Sequence, residues 1–147
     1  MMTIKLLCIG KMKEKFYTDA YTEYAKRLSA YCRLELLEIP ESDPEKESRA
    51  VCKAIGKSAY VVAMAIEGKK VSSEGFAAMI DGLAVGGRSE IDFLIGGSEG
   101  LSEEVKNAAD AKISMSDMTF PHHLARVMLA EQIYRAFKIN EGSVYHK

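Results

Sequence analysis

Two adjacent histidines, His122 and His123, follow a proline in the stretch MSDMTFPHHLAR (115–126), and a third, His146, sits in the closing residues VYHK. Imidazole titrates near neutral pH, so these side chains are the ones best suited to passing a proton, with the Tyr145 phenol beside the last of them. The pair at 122–123 also opens a strongly apolar run, and a polar helix start accounts for it without chemistry. Paired glycines in IGGSEG (95–100) allow positive φ and close approach of the backbone to a ligand. The pattern is neither GxGxxG nor GxxxxGK[ST], so neither a dinucleotide fold nor a P-loop is supported. Taken alone, a tight strand-to-helix turn explains it about as well as a ligand does. The loop MSDMTFP (115–121) could hold its amides open toward an adenine ring or a carboxylate, but spacing alone favours an ordinary connection.

These residues need elements to position them, and the pattern alternates strand and helix. Aliphatic runs at 3–10, 33–40, 59–66, 91–97 and 112–116 read as strands, several of them without a polar face. Helices are expected over 14–32, 44–57, 72–85, 102–110 and 121–139. Phe16, Ala20, Tyr24, Leu28 and Tyr31 fall at helical spacing in the first of these. Pro44 suits the first turn of the second helix, Ser72 or Ser73 and Ser102 suit N-caps, and Gly86-Gly87 suits a helix end. Strands alternating with helices imply an α/β fold, a mostly parallel sheet with helices on both faces. Ligands of open parallel sheets bind beyond the carboxyl ends of the strands. Three such ends stand out: Met64 to Gly68, Gly96 to Gly100, and Met115 to Phe120.

The closing helix carries Leu124, Val127, Met128, Leu129, Ala130, Ile133, Tyr134, Ala136, Phe137 and Ile139 around most of its circumference. One sheet-facing stripe needs fewer, so burial against a second copy of the chain is expected as well. Glu131 and Arg135 are spaced to pair at i,i+4.

The 147 residues are expected to form one domain, without repeats or a linker, and 48% hydrophobic with 28% charged side chains is ordinary for a soluble globular protein. No apolar run approaches the length of a membrane span, and the N-terminus reads as a strand rather than a signal peptide, so a cytoplasmic location is expected. Cys8, Cys32 and Cys52 are odd in number, with no CxxC and no nearby histidine, which argues against disulfides and against a zinc site. Each reads as a small buried hydrophobe. The net charge of −1 demands no polyanionic partner. Its distribution is uneven, however: residues 1–33 hold seven basic and three acidic side chains, whereas 34–48 hold one and six. A basic face able to meet nucleic acid is permitted, and so is a solvated helix beside an acidic loop.

IGGSEG, then SMSDMTFPHHLARVMLAEQIYRA, then a terminal YHK together resemble the RlmH-type ribosomal RNA methyltransferases of the SPOUT class, which methylate N3 of a pseudouridine in bacterial large-subunit (23S) rRNA. The resemblance covers the whole chain, including EGKKVSSEGFA at 67–77. It implies a SPOUT-type α/β knot, with the C-terminal part threaded as a trefoil knot that patterning would not suggest. It further implies a homodimer, S-adenosylmethionine as methyl donor, and large-subunit rRNA within the assembled ribosome as substrate, with no metal and no membrane. Carried over by position, the donor site falls at Met64, Gly96, Met115, Ser116, Asp117, Met118, Thr119 and Phe120. Tyr145, His146 and His122 become the candidates for proton transfer, and Arg126 and Lys147 for contact with RNA. His123 stands where glutamine is common, Met64 and Met115 where leucine is common, and Val144 where proline often precedes the terminal Tyr-His.

Removing the weakly acidic N3 proton, aiming the nitrogen at the methyl and excluding water would be the work of such a site. Two other classes compete: a non-catalytic nucleotide- or ribosome-binding module on the same fold, and a small-molecule methyltransferase, for which no separate substrate pocket is legible. The small net charge favours a large preformed ribosomal surface over naked RNA as the target.

Overall fold

The computed structural model describes residues 1–146. Its elements run β1 (Thr3–Ile9), α1 (Lys15–Leu28), β2 (Arg33–Ile39), α2 (Pro44–Ala54), β3 (Tyr60–Lys70), α3 (Ser73–Val85), β4 (Glu90–Ile95), α4 (Glu103–Ala108), β5 (Ala111–Ser114) and α5 (His122–Asn140). The five strands form one sheet in the order β2-β1-β4-β3-β5, and every pairing is parallel. The α/β class with helices on both faces is thus present, and the sheet is wholly parallel rather than mostly so.

Alternation along a strand sends successive side chains to opposite faces, which divides the core in two. On β1, Ile4, Leu6 and Cys8 join Tyr21, Phe76, Ile80, Leu129 and Ile133 beneath α1, α3 and α5. Leu7 and Ile9 join Val51, Val61, Leu94 and Val105 beneath α2 and α4. Central β4 is buried from Ile91 to Ile95, as a strand covered on both faces must be. Edge strand β2 instead alternates with exposed Glu35, a charge that discourages pairing with another chain.

The local signals act as their chemistry requires. Asp43 accepts from the Lys46 N–H at 3.0 Å, Ser72 from Gly75 at 3.0 Å and Ser102 from Val105 at 3.2 Å, capping α2, α3 and α4. Gly87, at φ +90°, turns the chain after α3.

Two expectations change. Cys8 and Cys32 are buried, but Cys52 is exposed: α2 buries Ser48 and Val51, and the next position turns outward. Phe16 is not part of the buried stripe of α1, which runs through Tyr21 and Leu28. Each i+4 step advances about 40° around a helix, so three steps from Leu28 rotate Phe16 out to solvent. The apolar surplus of α5 is met largely within the chain. This helix lies between α1 and α3, with Tyr134 against Tyr24 and Tyr31, Phe137 stacked on Tyr31 at 5.5 Å, and Ser73 bonded to Gln132 at 2.7 Å.

One charge lies inside the sheet. Asp92 on β4 is fully buried, accepting the Gly56 N–H at 2.9 Å, with Lys5 Nζ 3.9 Å away and Glu90 beside it; Lys5 reaches Glu90 at 3.2 Å. Burial first, then the Glu90 carboxyl, pushes Asp92 up to about 7, while Glu90 is held below its ordinary value by its hydrogen bond to Asp92 and by Lys5. A folded-state pKa raised above the unfolded one gives stability that is present at low pH and lost as pH rises toward the folded value. Wild-type denaturant midpoints should therefore carry a component that falls between about pH 4 and pH 7, a window set by the unperturbed and raised Asp92 values. Asp92→Asn should remove that component, as read from urea titrations across this range.

Candidate functional site

Because all strands are parallel, the ends of β3, β4 and β5 open on one side of the sheet. β3 runs past its expected end, and its ladder with β5 slips: Met64 and Lys69 both register with Ile113. The intervening residues, Ala65 to Gly68, leave the ladder as a bulge. Gly68 must be glycine there, since a Cβ would lie 2.7 Å from the Ile113 backbone nitrogen. After β4, Gly97 pairs with Gly100 across a tight turn, its carbonyl accepting the Gly100 N–H at 3.0 Å. A Cβ on Gly96 would collide with the Gly100 backbone carbon, so this turn closes only around glycine.

The loop after β5 is fixed from within. Ser114 Oγ donates to the Ser116 carbonyl at 2.9 Å, Ser116 Oγ accepts the Met118 N–H at 3.0 Å, and Asp117 pairs with Lys70 at 2.6 Å. Together the three strand ends line a cavity of about 170 Å³, walled by Met64, Ile95, Gly96, Met115, Ser116, Met118, Thr119, Phe120 and His122, among others. It is continuous through Met64, Thr119, Phe120 and His122 with a wider cleft toward Glu67, Glu99 and Lys106.

Seven of the eight expected donor-site residues line this cavity. The exception is Asp117, whose side chain turns to Lys70 in solvent. Ala65, Ile66 and Gly97, within the strand ends that the sequence singled out, also line it, whereas Ile113, Ser114, Ala125 and Leu129 escaped sequence reasoning.

His122 and His123 differ in placement. His122 lines the cavity with its Nε2 buried and without a hydrogen-bond partner. Burial, and then the neighbouring charges of His123 and Arg126, lower its pKa, so it is neutral at neutral pH. His123 does not line the cavity; its Nδ1 is 3.5 Å from Glu14, and its Nε2, like that of His122, is buried without a partner.

Arg126, expected to reach an RNA phosphate, is instead the largest fully buried side chain. It donates to Glu38 at 2.7 Å and to the Gly10 carbonyl at 3.0 Å. A guanidinium without access to solvent has no access to a phosphate. Four residues after His122, on a helix start with Pro121 in place of a side-chain cap, it locks the first turns of α5 to the ends of β1 and β2.

The C-terminal residues fold back on α5 and α3. Glu131 and Arg135 pair at 2.8 Å as their spacing requires. Tyr145 donates to Glu131 at 2.8 Å, packs edge-on against Tyr134 at 4.9 Å and lies under the Arg135 guanidinium. His146 Nδ1 accepts from Arg135 at 3.0 Å and its Nε2 donates to Glu74 at 2.5 Å, which commits both ring nitrogens. Burial and the Glu131 bond raise Tyr145 to about 12, so its phenol stays protonated and donates. Tyr145 and His146 do not line the donor-side cavity, but Glu131 lines a neighbouring pocket that shares Met64, Ile113, Ser114, Met115 and Leu129 with it. Lys147 lies outside the described residues. Among the described residues no helix is long and apolar enough to cross a membrane, and no cluster of three or more His, Cys, Asp or Glu is placed to hold a metal ion.

The family described as "Predicted SPOUT methyltransferase" matches residues 2–146. A Clostridium acetobutylicum protein named ribosomal RNA large subunit methyltransferase H is 49% identical, covering 99% of this chain and 100% of its own. One of the same name from Oenococcus oeni is 47% identical, with complete coverage of both chains. Among solved structures, a probable methylase family protein from Haemophilus influenzae superposes with a TM-score of 0.59 at 12% identity, over 98% of this chain and 70% of that one. A tRNA (m1G37) methyltransferase from Aquifex aeolicus gives 0.55 at 17% identity, over 90% and 69%. These likenesses extend to the fold.

Removing the Arg126 guanidinium would leave Glu38 and the Gly10 carbonyl without their partner. Arg126→Ala should cost roughly 3 kcal/mol of unfolding free energy. Arg126→Met, which refills the volume, should cost less. Chemical denaturation of the two variants measures the difference.

Proposed function

This chain belongs to the SPOUT methyltransferase family, and from that premise we propose that it methylates N3 of a pseudouridine in large-subunit rRNA, using S-adenosylmethionine and acting on the assembled ribosome. The whole chain would serve as one SPOUT methyltransferase domain, consistent with a match that spans residues 2–146. The C-terminal trefoil knot implied by the family resemblance belongs to the same reading, as the device that would hold the 96–100 and 115–120 loops side by side. The observation that carries the reading is the cavity at the ends of β3, β4 and β5, where paired glycines and a serine-braced loop leave backbone and apolar walls open to a ligand.

The residues present fit such a donor. Met64, Met115, Met118 and Phe120 offer apolar surface, Gly96 permits close backbone approach, and Ser116 and Thr119 add polar atoms; Asp117 would act by bracing the loop through Lys70. S-adenosylmethionine supplies a methyl on a sulfonium, an electrophile that needs no metal to activate it. The chain's part is to place N3 in line and to take its proton. His122 is the histidine at the cavity, neutral and with Nε2 unpartnered, so it would accept the N3 proton there. Tyr145 and His146 do not line that cavity, and in a homodimer they would work at the partner's site, holding the base and excluding water. The apolar side chains of α5 left half-buried by α1 and α3 supply a surface for that second copy.

Radiolabel should pass from S-adenosylmethionine to assembled ribosomes that lack the modification, ahead of isolated subunits and free rRNA. Bound donor without transfer to any of the three would leave only a binding module. Deleting Tyr145 to Lys147 should abolish transfer with donor affinity retained, whereas Gly96→Ala should weaken donor binding itself. For wild type, kcat should fall at acid pH as His122 protonates, with the limb centred below the ordinary histidine value. His122→Gln should lower kcat about 100-fold and lose that limb.

A further inference from the structure

Four rings form an unbroken row from the surface to the cavity. Phe16 and Tyr17 lie 4.4 Å apart between centroids, Tyr17 and His123 6.1 Å, and His123 and His122 4.1 Å. His122 lines the cavity, whereas Phe16 at the other end is 66% exposed, and an aromatic ring left so open has no packing reason to be there. Just ahead of it the chain leaves β1 without regular structure. Met12 is buried and donates its N–H to Glu38 at 2.8 Å, while Lys11 and Lys13 on either side of it are exposed. Among the described residues neither has a salt-bridge partner, in contrast to Lys15, which is paired with Asp19 at 2.6 Å. Two uncommitted cations therefore flank an exposed ring beyond the carboxyl end of β1, on the side of the sheet where the cavity opens.

We infer that this row is a platform for single-stranded RNA. Phe16 stacks a base flanking the target, Lys11 and Lys13 take the adjoining phosphates, and the strand follows Tyr17 and His123 to bring the target base over His122. Exposed aromatic faces interleaved with cations are how unpaired nucleotides are held, because every base has a face to stack and every linkage carries a charge. A second copy docked here about a twofold axis would bring these lysines toward their own counterparts, so the charge favours a polyanion over another chain of the same kind. The inference rests on the rRNA reading and names the surface that would receive the substrate.

Phe16→Ala and the double variant Lys11→Gln/Lys13→Gln alter exposed side chains, so both retain the fold. Binding to ribosomes lacking the modification, followed by fluorescence anisotropy with an oligouridylate competitor, tests the platform without methyl transfer. Phe16→Ala should weaken binding about tenfold. The double variant should reduce the slope of log K against log salt by about 1.4, two single-strand phosphate contacts. In both, KM for ribosomes should rise while S-adenosylmethionine affinity is unchanged, and oligouridylate should displace the wild type. Variants that bind as wild type does overturn the inference. So does weakened binding that oligouridylate cannot compete, which would mean a protein surface, or a Phe16→Ala chain that sediments as a smaller species, which would mean an interface between copies. Transfer by wild type with undiminished binding by the variants overturns the platform alone. Lost RNA binding by the variants of a chain that transfers no methyl keeps the platform and overturns the enzyme.

Discussion

A guanidinium withdrawn completely from water has to be answered by the protein, and the way Arg126 is answered organises this molecule. Its two terminal nitrogens bridge the Glu38 carboxylate at the end of β2 and the Gly10 carbonyl at the end of β1. Glu38 in turn accepts the Met12 N–H, so one carboxylate fixes both the start of α5 and the path of the chain leaving β1. Burying such a pair gives little net stability, because desolvation consumes most of the Coulomb gain. Its value is positional. The helix that carries His122 and His123 can start in only one place, and the loop from Met115 to Phe120 must close onto it.

The second constraint is parallelism. Five parallel strands gather their carboxyl ends on one side, and there the backbone can no longer pair with itself. The bulge at Ala65 to Gly68, the Gly97–Gly100 turn and the serine-braced loop each resolve that problem locally. Because they do so with small or apolar residues, they leave a lined cavity in place of a filled core. The tail adds a second polar centre on the same helix, where Glu131, Arg135, Tyr145 and His146 satisfy one another. Half-buried apolar positions on α5 lie near both centres, which suits a site assembled from two copies.

Much of this was legible in the chain. Hydrophobic runs marked all five strands, and Pro44, Ser72 and Ser102 announced helix starts, because capping chemistry acts within a few residues of itself. Glu131 and Arg135 met because i,i+4 spacing on a helix leaves them little choice. What misled was distance of another kind. Phe16 matched an i+4 count yet rotated into solvent, since periodicity drifts over three steps and only packing sets which face wins. Arg126 looked like a surface cation because its partners are 88 and 116 residues away in sequence.

By itself the sequence determined what local chemistry controls: an α/β fold of alternating elements, the three strand ends where a ligand would lie, and, through its motifs, the family to which it belongs. The tertiary structure alone decided which polar groups are spent and which stay free. It buried Arg126 against β1 and β2, engaged both nitrogens of His146, left His122 Nε2 without a partner and aligned Phe16 with Tyr17 and the histidine pair. Those outcomes depend on the desolvation and mutual approach of residues far apart in the chain, and no local pattern encodes such distances.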